Sequence, residues 1–211
     1  MKRGSVLAVL LCIAAVMSGG YAHAWIEKGS QEIGLSGFID DYTQEPANCP
    51  TCSKTEVTNM NLSLTYGYFL SRNFEIGVSV TEQQNNSTSI PPTGAKTVNE
   101  SETLTLAPLV RFLFNVKENA VVVPYIGAEY GIVNGDSKNT SSTGFVSSSD
   151  VSGTSLGLSL GIKYFPVDMA SINFDVKFRK YTFDSKSTAS TTTYEFERTG
   201  PYFTIGASIF F

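Results

Sequence analysis

Histidine is the side chain that most often acts as a general base near neutral pH, and this sequence contains one, His23. It lies in an N-terminal segment with the pattern of a removable export signal, so the exported chain would contain none. A serine or threonine nucleophile needs such a base to be activated. We therefore predict that the protein is not an enzyme and has no catalytic residues.

Two of the three cysteines, Cys49 and Cys52, are spaced as Cys-Pro-Thr-Cys. This spacing suits either redox chemistry or half of a metal site. No second such pair and no histidine completes four zinc ligands, and no βαβ pattern of the thioredoxin type surrounds the pair. In an oxidising compartment, a local disulfide that stiffens a loop is favoured over a reactive pair. The sequence predicts neither a metal nor a cofactor.

Eight charged residues share one parity within alternating apolar segments, which places them on the face opposite to the apolar side chains. They are four acids and four bases: Glu32, Glu75, Glu129 and Asp175, with Arg111, Lys163, Lys177 and Arg179. In a closed interior such charges could form an ion or proton path, or they could pair as a plug. Because an isolated buried charge costs several kcal/mol, we predict a salt-bridged plug that fixes strand registration.

The N-terminus predicts export. Lys2 and Arg3 precede the apolar run 6–17, and Ala22-His23-Ala24 supplies small residues before a cut at Trp25. An apolar run of roughly 12 residues is short of the roughly 20 that a spanning helix needs. Leu11, which is not a small residue, precedes Cys12, and this argues against lipoprotein cleavage before that cysteine. We predict a cleaved signal peptide over 1–24 and one domain over 25–211.

The exported part of the chain shows period-2 alternation of apolar residues, which is typical of β-strands. No segment longer than about 12 residues has a convincing helical period. The alternating segments number eight: 33–39, 60–70, 74–80, 104–114, 122–132, 156–164, 172–178 and 203–211. The chain is therefore predicted to be all-β, as an eight-stranded antiparallel up-and-down barrel.

The connections between these segments alternate in length. Three are short, near 71–73, 115–120 and 166–170, whereas four are long and rich in Ser, Thr, Asn and Gly, at about 41–56, 82–102, 134–153 and 184–194. Short turns at one end and long polar loops at the other are typical of transmembrane barrels, whose turns face the periplasm. With an even number of strands, both termini are expected on the periplasmic side.

The residues opposite the apolar face distinguish a membrane barrel from a soluble, lipocalin-like one. They are mostly small, as in Gly34, Ser36, Ser63, Gly127 and Ser159, rather than Lys and Glu. Small residues suit a narrow interior, so the apolar face is predicted to contact lipid. Aromatic residues near the strand ends are expected to form two interfacial girdles: Tyr68, Phe69, Phe74, Phe112, Phe114, Tyr164 and Phe165 toward the turns, and Tyr130, Tyr181 and Tyr194 toward the loops.

Three positions fit the barrel poorly. Pro108 and Pro124 occupy outward positions within predicted strands, where a missing N–H breaks a ladder bond, and we expect local bulges there. The last strand is expected to change phase near Gly200-Pro201.

The segment from Tyr202 to Phe211 ends in phenylalanine after apolar residues at alternate positions. It resembles the signal that the barrel-assembly machinery of Gram-negative outer membranes recognises, carried here by Phe203, Ile205, Ile209 and Phe211. The whole exported chain resembles the small outer-membrane β-barrel domain family, which includes opacity-type adhesins. The resemblance implies an outer-membrane location and contact with that machinery. Enzymatic barrels that resemble lipid A-modifying enzymes use a catalytic histidine, which the exported chain lacks.

A barrel of this kind is expected to be a monomer that contacts outer-membrane lipid and lipopolysaccharide. We predict that it anchors exposed loops for envelope integrity or adhesion, with a host or envelope ligand bound by the loops. The alternative is a narrow transporter for small apolar solutes, through the interior or through a gap in the wall. Acidic residues outnumber basic ones, 19 to 15, and no basic cluster occurs, which excludes nucleic acid as a partner.

Overall fold

The computed structural model describes residues 26–44, 53–91, 95–114, 116–117, 120–187 and 193–211. The predicted signal peptide and the Cys49–Cys52 pair lie outside the described residues, so both stay predictions. No helix long and apolar enough to cross a membrane occurs in the described part of the chain.

Eight antiparallel strands form a closed barrel, as the alternation predicts. Each strand pairs with the next in the sequence, and the first pairs with the last. The strands are β1 (Gln31–Gln44), β2 (Lys54–Ser71), β3 (Phe74–Ile90), β4 (Thr97–Leu113), β5 (Val122–Ser141), β6 (Val146–Val167), β7 (Ala170–Ser187) and β8 (Thr193–Phe210).

The apolar residues of each strand form a continuous outer band. In β6 this band runs from Leu156 to Tyr164, and its outward side chains are 38–59% exposed. Nine residues of a strand inclined by about 40° rise roughly 23 Å, close to the height of about 25 Å expected of a lipid-facing band. The intervening residues point into the barrel, because successive side chains of a strand face opposite sides.

The two ends of the barrel differ in construction. At one end, here called the turn end, Arg72–Asn73, 114–121 and Asp168–Met169 connect the strands. At the other, the hairpin end, the segments expected as long loops are largely β-structure: 82–89 pairs with 97–104, and 134–140 pairs with 146–152. Period-2 alternation does not detect these extensions, because they contain few apolar residues and none in regular alternation.

The bulges expected at the prolines do not occur. The β4–β5 ladder is interrupted at Ala107 and Pro108, but it resumes at Leu109 in the same register, and Pro124 pairs with Ile162 without a shift. The β7–β8 ladder likewise keeps one register past Gly200, so the predicted phase change is wrong. A missing N–H therefore removes ladder bonds locally without inserting a residue. The register shifts that do occur lie at the turn end, between Phe69 and Ser71 and between Tyr164 and Val167.

The central position of Leu160 in the outer band generates a stability prediction. Leu160 is 59% exposed on the barrel and faces lipid, whereas Ser159 beside it faces the interior. Leu160→Arg should lower the free energy of unfolding in lipid vesicles by about 2–4 kcal/mol, because a charge at the bilayer midplane is costly. Ser159→Ala is the matched control and should change it by much less. Equal effects of the two substitutions would show that the orientation of β6 is wrong.

Candidate functional site

The turn end of the interior is filled by an apolar layer. Seven side chains, all at most 2% exposed, form it: Ile26, Phe69, Leu113, Val123, Tyr125, Phe165 and Phe210. The rings of Phe69 and Phe165 lie 6.2 Å and 5.2 Å from that of Phe210. The prediction that Phe69 and Phe165 belong to a lipid-facing girdle is wrong, because their neighbours Tyr68 and Tyr164 face outward and adjacent residues cannot share a face.

A charged layer lies directly on the apolar one and is centred on Glu32. Its Oε1 accepts hydrogen bonds from Lys163 Nζ and from Ser208 Oγ, each at 2.6 Å, and lies 3.8 Å from Nη1 of Arg111. The same guanidinium donates to Glu75 Oε1 at 3.1 Å. Glu32, Glu75 and Lys163 are essentially inaccessible to solvent, so the carboxylates depend on these cations for compensation.

A second ion pair lies nearer the hairpin end. Arg179 donates to Glu129 and, at 2.8 Å, to the hydroxyl of Tyr181. Asp175 Oδ2 accepts a hydrogen bond from Thr204 at 3.1 Å. Lys177 is 7% exposed and makes no hydrogen bond or ion pair among the described residues. Of the eight predicted interior charges, the structure thus joins six in ion pairs and leaves Asp175 and Lys177 without one in the described part of the chain.

Glycines make room for the carboxylates. A Cβ added at Gly67 would lie 2.0 Å from Glu75 Oε1, and one at Gly157 would lie 2.6 Å from Cγ of Glu129. A side chain at either glycine would therefore displace the carboxylate from its present position, and making room for it is the structural role of two of the small residues on the inner face.

Aromatic rings also stabilise the buried cations. The ammonium of Lys163 lies 5.3 Å from the centre of the Tyr125 ring, and the guanidinium carbon of Arg111 lies 5.5 Å from it. Such contacts contribute about 2 kcal/mol when desolvated. No group of His, Cys, Asp and Glu able to hold a metal occurs among the residues that the structure describes.

The hairpin end of the interior has an aromatic wall that sequence reasoning missed. Tyr181 and Phe183 stack with their ring centres 5.2 Å apart and pack with Val133 and Val151. The prediction that Tyr181 lies in an interfacial girdle is wrong, since it has the same inward parity as Arg179. The alternation of side chains along β7 therefore indicated in the sequence that Tyr181 points inward. The side chain of Tyr194 is outside the described residues.

The boundary between β1 and β8 is shorter than the others. Its ladder pairs Glu32–Gly37 with Phe210–Ile205 and ends there, whereas the β5–β6 ladder continues from Val122 to Thr140. The four residues of the predicted assembly signal lie on the outer face of β8 or at its end: Phe203, Ile205, Ile209 and Phe211. Phe203, just beyond the last ladder pair, is 73% exposed, and Ile39 on β1 is 64% exposed.

The sequence profile of the outer membrane protein beta-barrel domain matches residues 5–209, nearly the whole chain. The chain belongs to this family. Membership places it in the outer membrane of a Gram-negative bacterium and agrees with the resemblance of its C-terminal strand. No curated protein matches the chain significantly.

Three solved structures are similar in fold. The outer membrane protein OprG from Pseudomonas aeruginosa superposes with a TM-score of 0.55 at 16% identity, covering 88% of this chain and 97% of its own. Neisserial surface protein A gives 0.47 at 14% identity, covering 87% and 97%, and the attachment invasion locus protein Ail of Yersinia pestis gives 0.44 at 18%, covering 87% and 99%. At these identities the similarity extends to the fold alone.

Two ion pairs whose cations lie on β7, one buried and one exposed, allow a matched test of the interior ion pairs. Glu129→Ala leaves the buried cation of Arg179 without its carboxylate and should lower the free energy of unfolding by about 3–5 kcal/mol. Glu197→Ala removes the partner of Lys180 from an exposed pair with an N–O distance of 2.7 Å and should cost less than about 1 kcal/mol. Urea titration of both variants in vesicles measures the difference. Equal losses would contradict a buried role for the Glu129–Arg179 pair.

Proposed function

We propose that the protein is a non-enzymatic barrel with a sealed interior, which anchors four polar hairpins at the cell surface for adhesion or envelope integrity. The observation that carries this proposal is the filled interior. The apolar layer at the turn end is at most 2% exposed, and the ion pairs of the charged layer lie directly above it. An eight-stranded barrel has an interior only as wide as its side chains, which favours a plug over an aqueous path.

The hairpin end supports the display of a binding surface. The strands β5 and β6 continue past the apolar band as far as Ser141 and Val146, and their tip carries Phe145, which is 67% exposed. Because short turns face the periplasm in barrels of this type, the hairpins are proposed to face outward, with both termini in the periplasm. A host or envelope ligand would bind to the hairpins. The barrel itself would be a monomer surrounded by outer-membrane lipid and lipopolysaccharide, after insertion by the barrel-assembly machinery.

The absence of histidine from the exported chain supports a non-enzymatic role, since Ser and Thr in the hairpins then lack the usual base. The second candidate function is passage of small apolar solutes. The short β1–β8 ladder favours it, because strands that do not pair leave a lateral gap toward lipid. The closed turn end argues against passage along the whole interior.

Shortening one hairpin tests the proposal. Lys138–Ser148 would be replaced by Asn-Gly, which joins the directly paired residues Ser137 and Ser149 through a two-residue turn. The barrel should fold and migrate as a heat-modifiable band, while adhesion or resistance to osmotic stress falls toward that of a deletion strain. Ser159→Ala is the control that leaves the hairpins intact.

The same strains separate the two candidate functions. Loss of adhesion or of osmotic resistance in the deletion strain, with normal uptake of an apolar solute, supports display. An uptake defect with unchanged adhesion and osmotic resistance contradicts display and supports passage through the wall.

A further inference from the structure

The boundary between β1 and β8 has an unpaired part, here called the open seam. It lies between Phe38–Gln44 of β1 and Thr193–Thr204 of β8, where the two strands form no ladder pairs. Ile39 and Phe203 flank it on the outer face and are the most exposed large apolar side chains of the lipid-facing band. Residues 38–39 and 203–204 lie at the edge of the lipid-facing band and are not paired with each other. Unpaired backbone groups next to hydrocarbon are costly, so this part of the open seam favours an occupant that is apolar outside and polar within.

The inner side of the open seam is lined by a chain of contacts from β1 to β7. The rings of Phe38 and Tyr202 lie 5.4 Å apart across the boundary. The guanidinium carbon of Arg179 lies 5.5 Å from the centre of the Tyr202 ring. Lys177 is directly opposite Tyr202 in the β7–β8 ladder. An aromatic surface and two cations therefore meet immediately behind the unpaired strands.

The polar atoms at this place include more unused donors than unused acceptors. The hydroxyl of Tyr202 and Nε of Arg179 are buried without a hydrogen-bond partner, and the ammonium of Lys177 makes no hydrogen bond or ion pair among the described residues. On the acceptor side, Arg179 binds Glu129 through Oε1 alone, and Asp175 retains one unused oxygen, Oδ1. Both carboxylates attract the ammonium of Lys177 without a hydrogen bond to it among the described residues. A carboxylate, which accepts about four hydrogen bonds and donates none, complements this excess of donors.

We propose that the open seam binds a single-chain amphiphile with a carboxylate head. The head accepts hydrogen bonds from Lys177, Tyr202 and Nε of Arg179, and the alkyl chain leaves between Ile39 and Phe203 toward the lipid. The ring of Phe38 contacts the first carbons of the chain. This site goes beyond anchoring the hairpins and does not depend on it, because a barrel that only displays hairpins would bind the same ligand.

Photolabelling in lipid vesicles tests the site. The folded full-length barrel, reconstituted in phosphatidylcholine vesicles, is exposed to dodecanoate that carries a diazirine in its chain, and the labelled residues are mapped by mass spectrometry. Dodecanol with the same diazirine is the matched probe without a charged head. We expect labelling concentrated at Ile39 and Phe203, and about tenfold weaker labelling by the alcohol.

Two variants remove single donors with little change in shape. Lys177→Met and Tyr202→Phe should each reduce labelling by the carboxylate probe severalfold, while labelling by the alcohol stays the same. Tyr130→Phe is the control, because Tyr130 faces lipid on β5, away from the open seam, and is 55% exposed. Folding of each variant is checked by heat-modifiable migration. If a variant does not fold, competition of unlabelled dodecanoate against the probe on the unaltered protein replaces it.

Labelling spread evenly around the band, equal labelling by acid and alcohol, or no effect of Lys177→Met would each overturn the proposal. Cross-links between two barrels at Ile39 or Phe203 would also overturn it, since a second copy would then cover the open seam. These readouts involve no adhesion or osmotic assay, so failure of this site leaves the test of the anchoring function unaffected.

Discussion

The hydrogen bonds of the Glu32 carboxylate hold together parts of the barrel that are far apart in sequence. Glu32 is the first inward residue of β1, and it accepts from Ser208 on β8 and from Lys163 on β6, with Arg111 of β4 at 3.8 Å. The β1–β8 ladder that closes the barrel is short, and this carboxylate lies inside it. Removing the charge would leave the ammonium of Lys163 buried against the rings of the apolar layer without its carboxylate, so closure of the sheet and neutrality of the interior depend on the same group.

The filled apolar layer and the β1–β8 ladder both lie at the turn end, and the described residues of β1 and β8 form no ladder pairs beyond it. The apolar layer and the ion pairs made by Glu32 and Glu75 lie in the part of the interior next to that end. Toward the hairpin end, the described residues of β1 and β8 do not pair with each other. The inner face there is formed by Tyr181, Phe183 and Tyr202 around Arg179. The barrel therefore combines a filled base with a side wall in which β1 and β8 are only partly paired, and this division separates the proposed anchoring role from the proposed binding site.

Much of the architecture follows from two sequence signals. Period-2 alternation predicts all eight strands and the orientation of each, and the lengths of the connections predict which end has the turns. Alternation could also have placed Phe69, Phe165 and Tyr181 inside, but their aromatic character suggested a girdle. The polar hairpin extensions have no apolar face to reveal them, and the short β1–β8 ladder depends on the contact between the two ends of the chain. Neither feature has a local signature, so both required the structure.

Ion conductance of the folded protein in planar bilayers tests the sealed interior most directly. The filled apolar layer and the paired charges above it predict a very small conductance, with no stable steps and no selectivity between anions and cations. In Glu129→Ala the conductance should stay small. Large, stable and ion-selective channels in the unaltered protein, with selectivity changed by Glu129→Ala, would contradict the sealed interior and show that the charged layer lines a pore.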